Sequence, residues 1–124
     1  MANFIINLRV FVKVHLIKRQ SIEAYAKSQN AENSFNERLC KLKEADWNRP
    51  MDMKKTFNSV DFLGKGCDRV VFDIGGNNHR LICKYYFGKK QIHLYVCWLG
   101  TNPEYDKLNA RKEQYTVTLN VRKH

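Results

Sequence analysis

The sequence predicts an α+β fold, with two N-terminal helices packed on one face of an antiparallel β-sheet in the order strand, helix, helix, meander. Three observations predict it. Between residues 21 and 47, apolar side chains recur three and four positions apart, the spacing that gathers them on one side of a helix. From residue 69 onward the pattern changes to short runs of Val, Ile, Phe and Tyr, which fit a pleated, half-buried strand. The separators between those runs are three or four residues long, so consecutive strands must be antiparallel. With 124 residues, 44% of them hydrophobic, the chain can bury one core, whereas two separate domains would each be marginal.

Residues 4 to 17 are β-prone, with Ile, Val, Phe and Leu around Arg9 and Lys13. They read as one strand, or as a loose leader followed by a short strand at Val14 to Ile17. Ser21 then offers an N-cap, and Ile22, Tyr25 and Ala26 share one side of a short helix. A polar break at Ser28 to Asn30 precedes a second helix, in which Phe35, Leu39 and Leu42 form the apolar stripe. Ser34 and Glu37 have capping-box spacing there, although a start at Ala31 or Glu32 is equally open. Asn48-Arg49-Pro50 stops the helix, because proline lacks a donor and pushes its predecessor out of the helical region. Residues 51 to 58 allow one more helical turn. The three strands of the meander are Arg69 to Ile74, His79 to Phe87 and Gln91 to Leu99. Gly75-Gly76-Asn77-Asn78 and Gly88-Lys89-Lys90 between them are hairpin turns by composition. A Gly100-Thr101 turn, a helical piece at Pro103 to Leu108 and a last strand at Tyr115 to Val121 complete the order. A sheet covered on one side leaves its other face to water or to a ligand.

Charge narrows the function. The chain carries 22 Lys and Arg against 12 Asp and Glu, a formal +10, and a folded domain so basic points to a polyanionic partner: nucleic acid, the ribosome, an anionic membrane surface or an acidic protein. The four cysteines, Cys40, Cys67, Cys83 and Cys97, form no C-x-x-C pair and no zinc-finger spacing with histidine, which argues against a structural zinc site. Cys40, Cys83 and Cys97 stand in apolar company, as small buried hydrophobes do, and a reducing cytoplasm is expected. No apolar stretch approaches the ~20 residues of a membrane span. The run from Phe4 to Val12 is too short and charge-interrupted for a signal peptide.

Two motifs carry a resemblance. The stretch Arg69-Val-Val-Phe-Asp-Ile-Gly-Gly-Asn-Asn-His-Arg-Leu-Ile82, followed one hairpin later by Gly100-Thr-Asn-Pro-Glu-Tyr-Asp106, resembles the HigB family of bacterial type II toxins, within the RelE/ParE superfamily. The helical half, from His15 to Ile22 onward with Trp47 ending the second helix, matches more loosely. The resemblance covers residues 14 to 119 and leaves 1 to 13 as an N-terminal extension, so that residues 14 to 124 form the toxin-like domain. It implies a microbial-RNase-like fold and an mRNA interferase that cleaves transcripts engaged with the ribosomal A site. It also implies a co-encoded helix-turn-helix antitoxin, HigA, through which alone DNA would be met. No metal and no organic cofactor is implied.

Such cleavage requires a ribose 2′-OH to lose its proton and attack phosphorus, the 5′-oxygen to leave with a proton, and a cation to steady the crowded phosphate. Arginine suits the last role, since its planar fork meets two phosphate oxygens at once. Arg80 is the first candidate. Alternation puts Arg80, Ile82, Lys84 and Tyr86 on one face of their strand and His79, Leu81, Cys83, Tyr85 and Phe87 on the other. The bland alternative is that Arg80 only pairs with Asp73 across the hairpin. Lys84, Arg69, Asn77 and Asp106 are the RNA-binding candidates, with Arg69 open to being a plain edge residue and Asn77 to serving the turn. His79 points to the core side.

The segment after Gly100 departs from the family. The position held by Asn102 is commonly histidine there, and an asparagine amide cannot exchange a proton near neutral pH. Either the activity is attenuated or the base lies elsewhere. Tyr105 completes the catalytic set with Arg80 and Asn102, as a proton donor or acceptor or a base-stacking ring, unless it merely packs against the sheet. Two other classes compete: a non-enzymatic inhibitor of the ParE kind, and a plain RNA- or ribosome-binding module.

Overall fold

The computed structural model describes residues 13–76 and 78–119. The sheet has five strands in the order β1-β5-β4-β3-β2. Strand β1 is Val14–Ile17, β2 Asp61–Phe62, β3 Arg69–Ile74, β4 His79–Phe87 and β5 Ile92–Thr101. Helix α1 is Arg19–Ser28 and α2 Glu32–Lys43; a 3₁₀ turn at Pro50–Asp52 runs into the short α3, Met53–Thr56; and α4 is Asn102–Ala110. Asn77 and most of the expected extension, residues 1–12, lie outside the described residues. Among the described residues no helix is long and apolar enough to cross a membrane.

The α+β class holds, but the sheet is mixed rather than antiparallel. The strands β2 to β5 pair antiparallel, while β1 lies parallel to β5, with Val14 opposite Ile92 and Ile17 opposite Tyr95. A parallel neighbour needs a crossover, and here the chain between β1 and β5 runs through the helices and the meander. The two-residue β2, paired with β3, is too short to show a period in sequence.

Helix α1 begins at Arg19, not after a cap at Ser21. The chain leaves β1 through Lys18 in the left-handed conformation (φ 70°), and the Ser21 amide already donates to the Lys18 carbonyl (3.1 Å). Ile22 and Ala26 are its buried residues. Helix α2 likewise starts two residues before Ser34, with Glu32 in its first turn, where a carboxylate meets the positive end of the helix dipole. It ends at Lys43, ahead of the proline and of Trp47. The intervening chain turns inward so that Ala45 and Trp47 enter the core, the Trp47 indole donating to Thr56 Oγ1 at 2.9 Å. Pro50 opens the 3₁₀ turn, which the Asp52 carboxylate secures by accepting from the amides of Asn48 (2.8 Å) and Arg49 (3.3 Å). These bonds, the Asn48 amide foremost, hold the Asp52 carboxyl below its ordinary range.

The main core lies between these helices and one sheet face. Ile22, Ala26, Phe35 and Leu39 meet Val70, Phe72 and Ile74 of β3, Leu81 and Cys83 of β4, and Leu94 and Val96 of β5. Cys83 and Cys97 are buried thiols, but Cys40 is exposed on α2: the apolar residue beside it, Leu39, takes the inward position.

The opposite face is not left wholly to solvent. Leu108 and Tyr105 of α4, with Leu63 and Val117, cover Val71, Ile82, Cys97 and Trp98 in a second, smaller cluster. Strand β5 continues to Thr101 and α4 starts directly after it, so Gly100 and Thr101 form no turn. No strand occurs over the described part of the expected last one, residues 115–119; residues 120 and 121 lie outside the description. The amides of Thr116 and Val117 donate to the Glu113 carbonyl in tight turns, while Arg69 Nη1 binds the carbonyls of Gln114 (3.1 Å) and Val117 (2.7 Å). Arg69 is 6% exposed, so its charge is satisfied inside the protein.

That arginine fastens the 111–119 segment to the sheet. Arg69→Ala should cost about 3 kcal/mol, because charge-assisted bonds are lost and two carbonyls lose their donor. Urea denaturation should register the loss, proteolysis should cut first within 111–119, and Arg69→Lys should recover part of the stability.

Candidate active site

Arg80 reaches the open face because β4 alternates sides and is locked in register from both edges. Its backbone lies opposite Asp73 on β3 and Gly100 on β5. Its guanidinium is mostly enclosed, with 14% of the side chain exposed, and Nη1 stands 3.1 Å from Asp73 Oδ1. The expected pairing across the hairpin is therefore present. Among the described residues that nitrogen has no hydrogen-bond partner of good geometry, so the Asp73 contact is an ion pair that leaves donor capacity on Nη1. On its other side the guanidinium carbon sits 5.8 Å from the Tyr105 ring centroid.

Tyr105 is held there by Trp98, whose ring centroid is 6.0 Å from its own. Trp98 in turn requires glycine at position 100, since a β-carbon there would run into the six-membered ring of the indole. Trp98 escaped the sequence reading because nothing in a strand pattern distinguishes an aromatic that supports a site from one that packs. Burial, and secondarily the nearby Asp61, raise the Tyr105 hydroxyl above its ordinary value, an effect that Arg80 partly offsets. At neutral pH this phenol is a proton donor, not a base.

Asn102 begins α4 two residues beyond Gly100, and its amide donates to the Asn78 carbonyl (2.9 Å), tying the helix start to the glycine turn. Gly75 and Gly76 take positive φ (65° and 68°) in that turn, as its composition anticipates. Thr101 and Glu104 cap α4 reciprocally: the Thr101 amide donates to Glu104 Oε1 (2.8 Å) and the Glu104 amide to Thr101 Oγ1 (3.4 Å). One structural corner thus assembles Arg80, Tyr105 and the Asn102 backbone, with Asp73, Trp98 and Gly100 as support.

The remaining candidates lie elsewhere. Lys84 is exposed farther along β4, and Asp106 is exposed on α4. Arg69 is buried under the 111–119 segment as described. His79 lies on the helix side of β4, its Nδ1 3.1 Å from the Tyr25 hydroxyl and its ring 5.6 Å from that of Phe35. It faces away from Arg80. Among the described residues, no three His, Cys, Asp or Glu side chains gather where they could hold a metal ion.

Residues 31–108 match a family model described as HigB_toxin, the RelE-like toxic component of a toxin-antitoxin system. The chain is also similar to the mRNA interferase HigB of Escherichia coli O6:H1 (strain CFT073), 30% identical over 96 residues, which covers 77% of this chain and 91% of the relative.

Gly100→Ala should cost about 1–3 kcal/mol, the range for overpacking, and the displaced Trp98 should change its fluorescence. Tyr25, Tyr85 and Tyr105 all have hydroxyls raised primarily by burial. The folded state therefore retains protons that the unfolded chain releases, and unfolding free energy should fall as pH rises past the ordinary tyrosine value of 10.0. Denaturant titrations above and below that pH should show the fall, with a smaller slope in Tyr105→Phe.

Proposed function

The chain belongs to the HigB family of RelE-like toxins, and on that footing we propose that it is an mRNA interferase, cleaving messenger RNA in the ribosomal A site and so inhibiting translation. The observation that carries this reading is the enclosed Arg80 guanidinium, flanked by Asp73 and Tyr105 and, among the described residues, with no well-aligned acceptor for Nη1. An incoming phosphate would supply two acceptor oxygens to that fork. Arg80 then steadies the charge that builds on phosphorus as the 2′-oxygen attacks, without recourse to a metal. The protonated Tyr105 hydroxyl donates toward the leaving 5′-oxygen, or orients it.

Asn102 limits the rate. Arg80 is permanently cationic, Tyr105 is protonated, and an amide takes no proton at neutral pH, so the 2′-OH proton passes to water, a far weaker base than a positioned histidine. The activity is accordingly attenuated. Exposed Lys84 and Asp106 meet the RNA strand in this reading, whereas Arg69 serves the C-terminal segment. The wider surplus of lysine and arginine delivers the protein to its polyanion, an attraction that weakens steeply with salt. A helix-turn-helix antitoxin of the HigA type holds the toxin in check in the cytoplasm, and DNA is met only through that complex. Asn102 also favours one second reading, a domain that binds RNA at the ribosome without cutting it.

Primer extension on a translated message separates the two. Arg80→Ala should reduce cleavage at saturating RNA by about 10²–10³-fold, as loss of a positioned charge-stabilising group does. Asn102→His should raise it by about 10²-fold or more, the usual worth of general acid–base catalysis. A histidine variant that binds but never cuts would leave only the binding module.

A further inference from the structure

The open face of the sheet is divided. Its Arg80 half is roofed by α4 and the 111–119 segment, but among the described residues nothing comparable lies over the half toward the β4–β5 turn. There β4 presents Lys84 and Tyr86, β5 presents His93 and Tyr95, and β1 presents His15 and Ile17. The register sets Tyr86 opposite His93, Lys84 opposite Tyr95, and His15 opposite His93. Tyr86 is 68% and Tyr95 39% exposed; with Met51, they are the exposed large hydrophobic side chains among the described residues.

These rings are arranged rather than scattered. Tyr86 stacks on His93, with centroids 6.1 Å apart and planes 22° from parallel, and His93 meets His15 edge to face at 5.4 Å. The two histidines also approach through their Nδ1 atoms at 3.3 Å. The Lys18 ammonium stands 5.1 Å from the Tyr95 centroid, and Lys89 and Lys90 are exposed in the turn just beyond Phe87. None of the six sheet residues on this half-face is acidic. A water-facing sheet surface ordinarily carries flexible polar side chains, and a protein-docking surface has no need of lysines around its aromatic centre. Rigid rings bordered by cations suit a ligand with flat apolar faces and a phosphate backbone.

We propose that this half-face is a stacking platform for the bases of single-stranded RNA, taking the substrate strand outside the bond that is cut. Tyr86 and Tyr95 supply the ring faces, the histidine pair extends the stack, and Lys84 and Lys18 meet phosphates. Tyr86 lies six residues beyond Arg80 on the same side of β4, a distance of ~20 Å along the strand, so the platform holds RNA several nucleotides from the reaction. The proposal rests on the RNA-cleaving reading, which supplies the strand.

The probe is a fluorescein-labelled, 2′-O-methylated single-stranded RNA of mixed sequence, followed by anisotropy. The Tyr86→Ala/Tyr95→Ala double variant should weaken its binding at least about tenfold, as loss of stacked bases does, while a Tyr86→Phe/Tyr95→Phe variant retains it. Lys84→Ala should instead flatten the salt dependence. If the double variant melts abnormally, Tyr86→Ala alone, at the more exposed ring, decides by the same criterion. Wild-type affinity in the folded alanine variants, or equal loss in the phenylalanine variant, overturns the platform. Cleavage of a translated, ribosome-engaged message by the Asn102→His variant, followed in parallel by primer extension, tells the two readings apart. Intact cleavage with unaltered alanine variants removes the platform alone, and stacking-dependent binding without any cleavage removes the enzyme alone.

Discussion

The register of β4 is the constraint on which the rest of the molecule depends. This strand is hydrogen-bonded along both edges, to β3 and to β5, and every residue along it is assigned to one face or the other. A slip by one position would move Leu81 and Cys83 out of the helix-side core and turn Arg80 into it, exposing apolar surface and burying a charge. Apolar burial therefore fixes where the cation stands. The irregularity between Ile82 and Cys83 accommodates an extra residue on β5 around Cys97, and it lies at the boundary between the roofed and unroofed parts of the open face.

Two arginines on that face illustrate how similar residues acquire different work. Arg69 and Arg80 are both poorly exposed, on neighbouring strands. Arg69 spends its donors on the carbonyls of Gln114 and Val117, a structural task that no substrate can share. Arg80 has a carboxylate and an aromatic ring beside it, and among the described residues its Nη1 has no well-aligned acceptor. Burial makes both costly to disturb, and the proposed chemistry falls to the second.

The same division runs through the aromatic residues. Trp98 supports Tyr105 and compels glycine at position 100, so one packing requirement reaches directly to the side chains around Arg80. Tyr86 and Tyr95, lower on the face, stay exposed, Tyr86 stacked on His93 and Tyr95 under the Lys18 ammonium. One surface thus carries both the corner proposed to grip a phosphate and the region proposed to hold the chain that bears it.

Much of this was legible in the chain itself. Strand periodicity set β3 and β4 and the sidedness of Arg80, His79 and Lys84, because alternation is a local property of the backbone. The motifs around Gly75 and Gly100 pointed to the family, in whose pattern the resemblance expects histidine where Asn102 stands. Local patterns could not reveal that β1 lies parallel to β5, that a left-handed Lys18 starts α1, or that residues 115–119 form turns under Arg69 instead of a strand. Each of those follows from partners far away in sequence. The sequence determined which side chains share a face; the tertiary structure alone decided which of them are covered and which still have a hydrogen bond to give, since burial depends on what the rest of the chain lays over them.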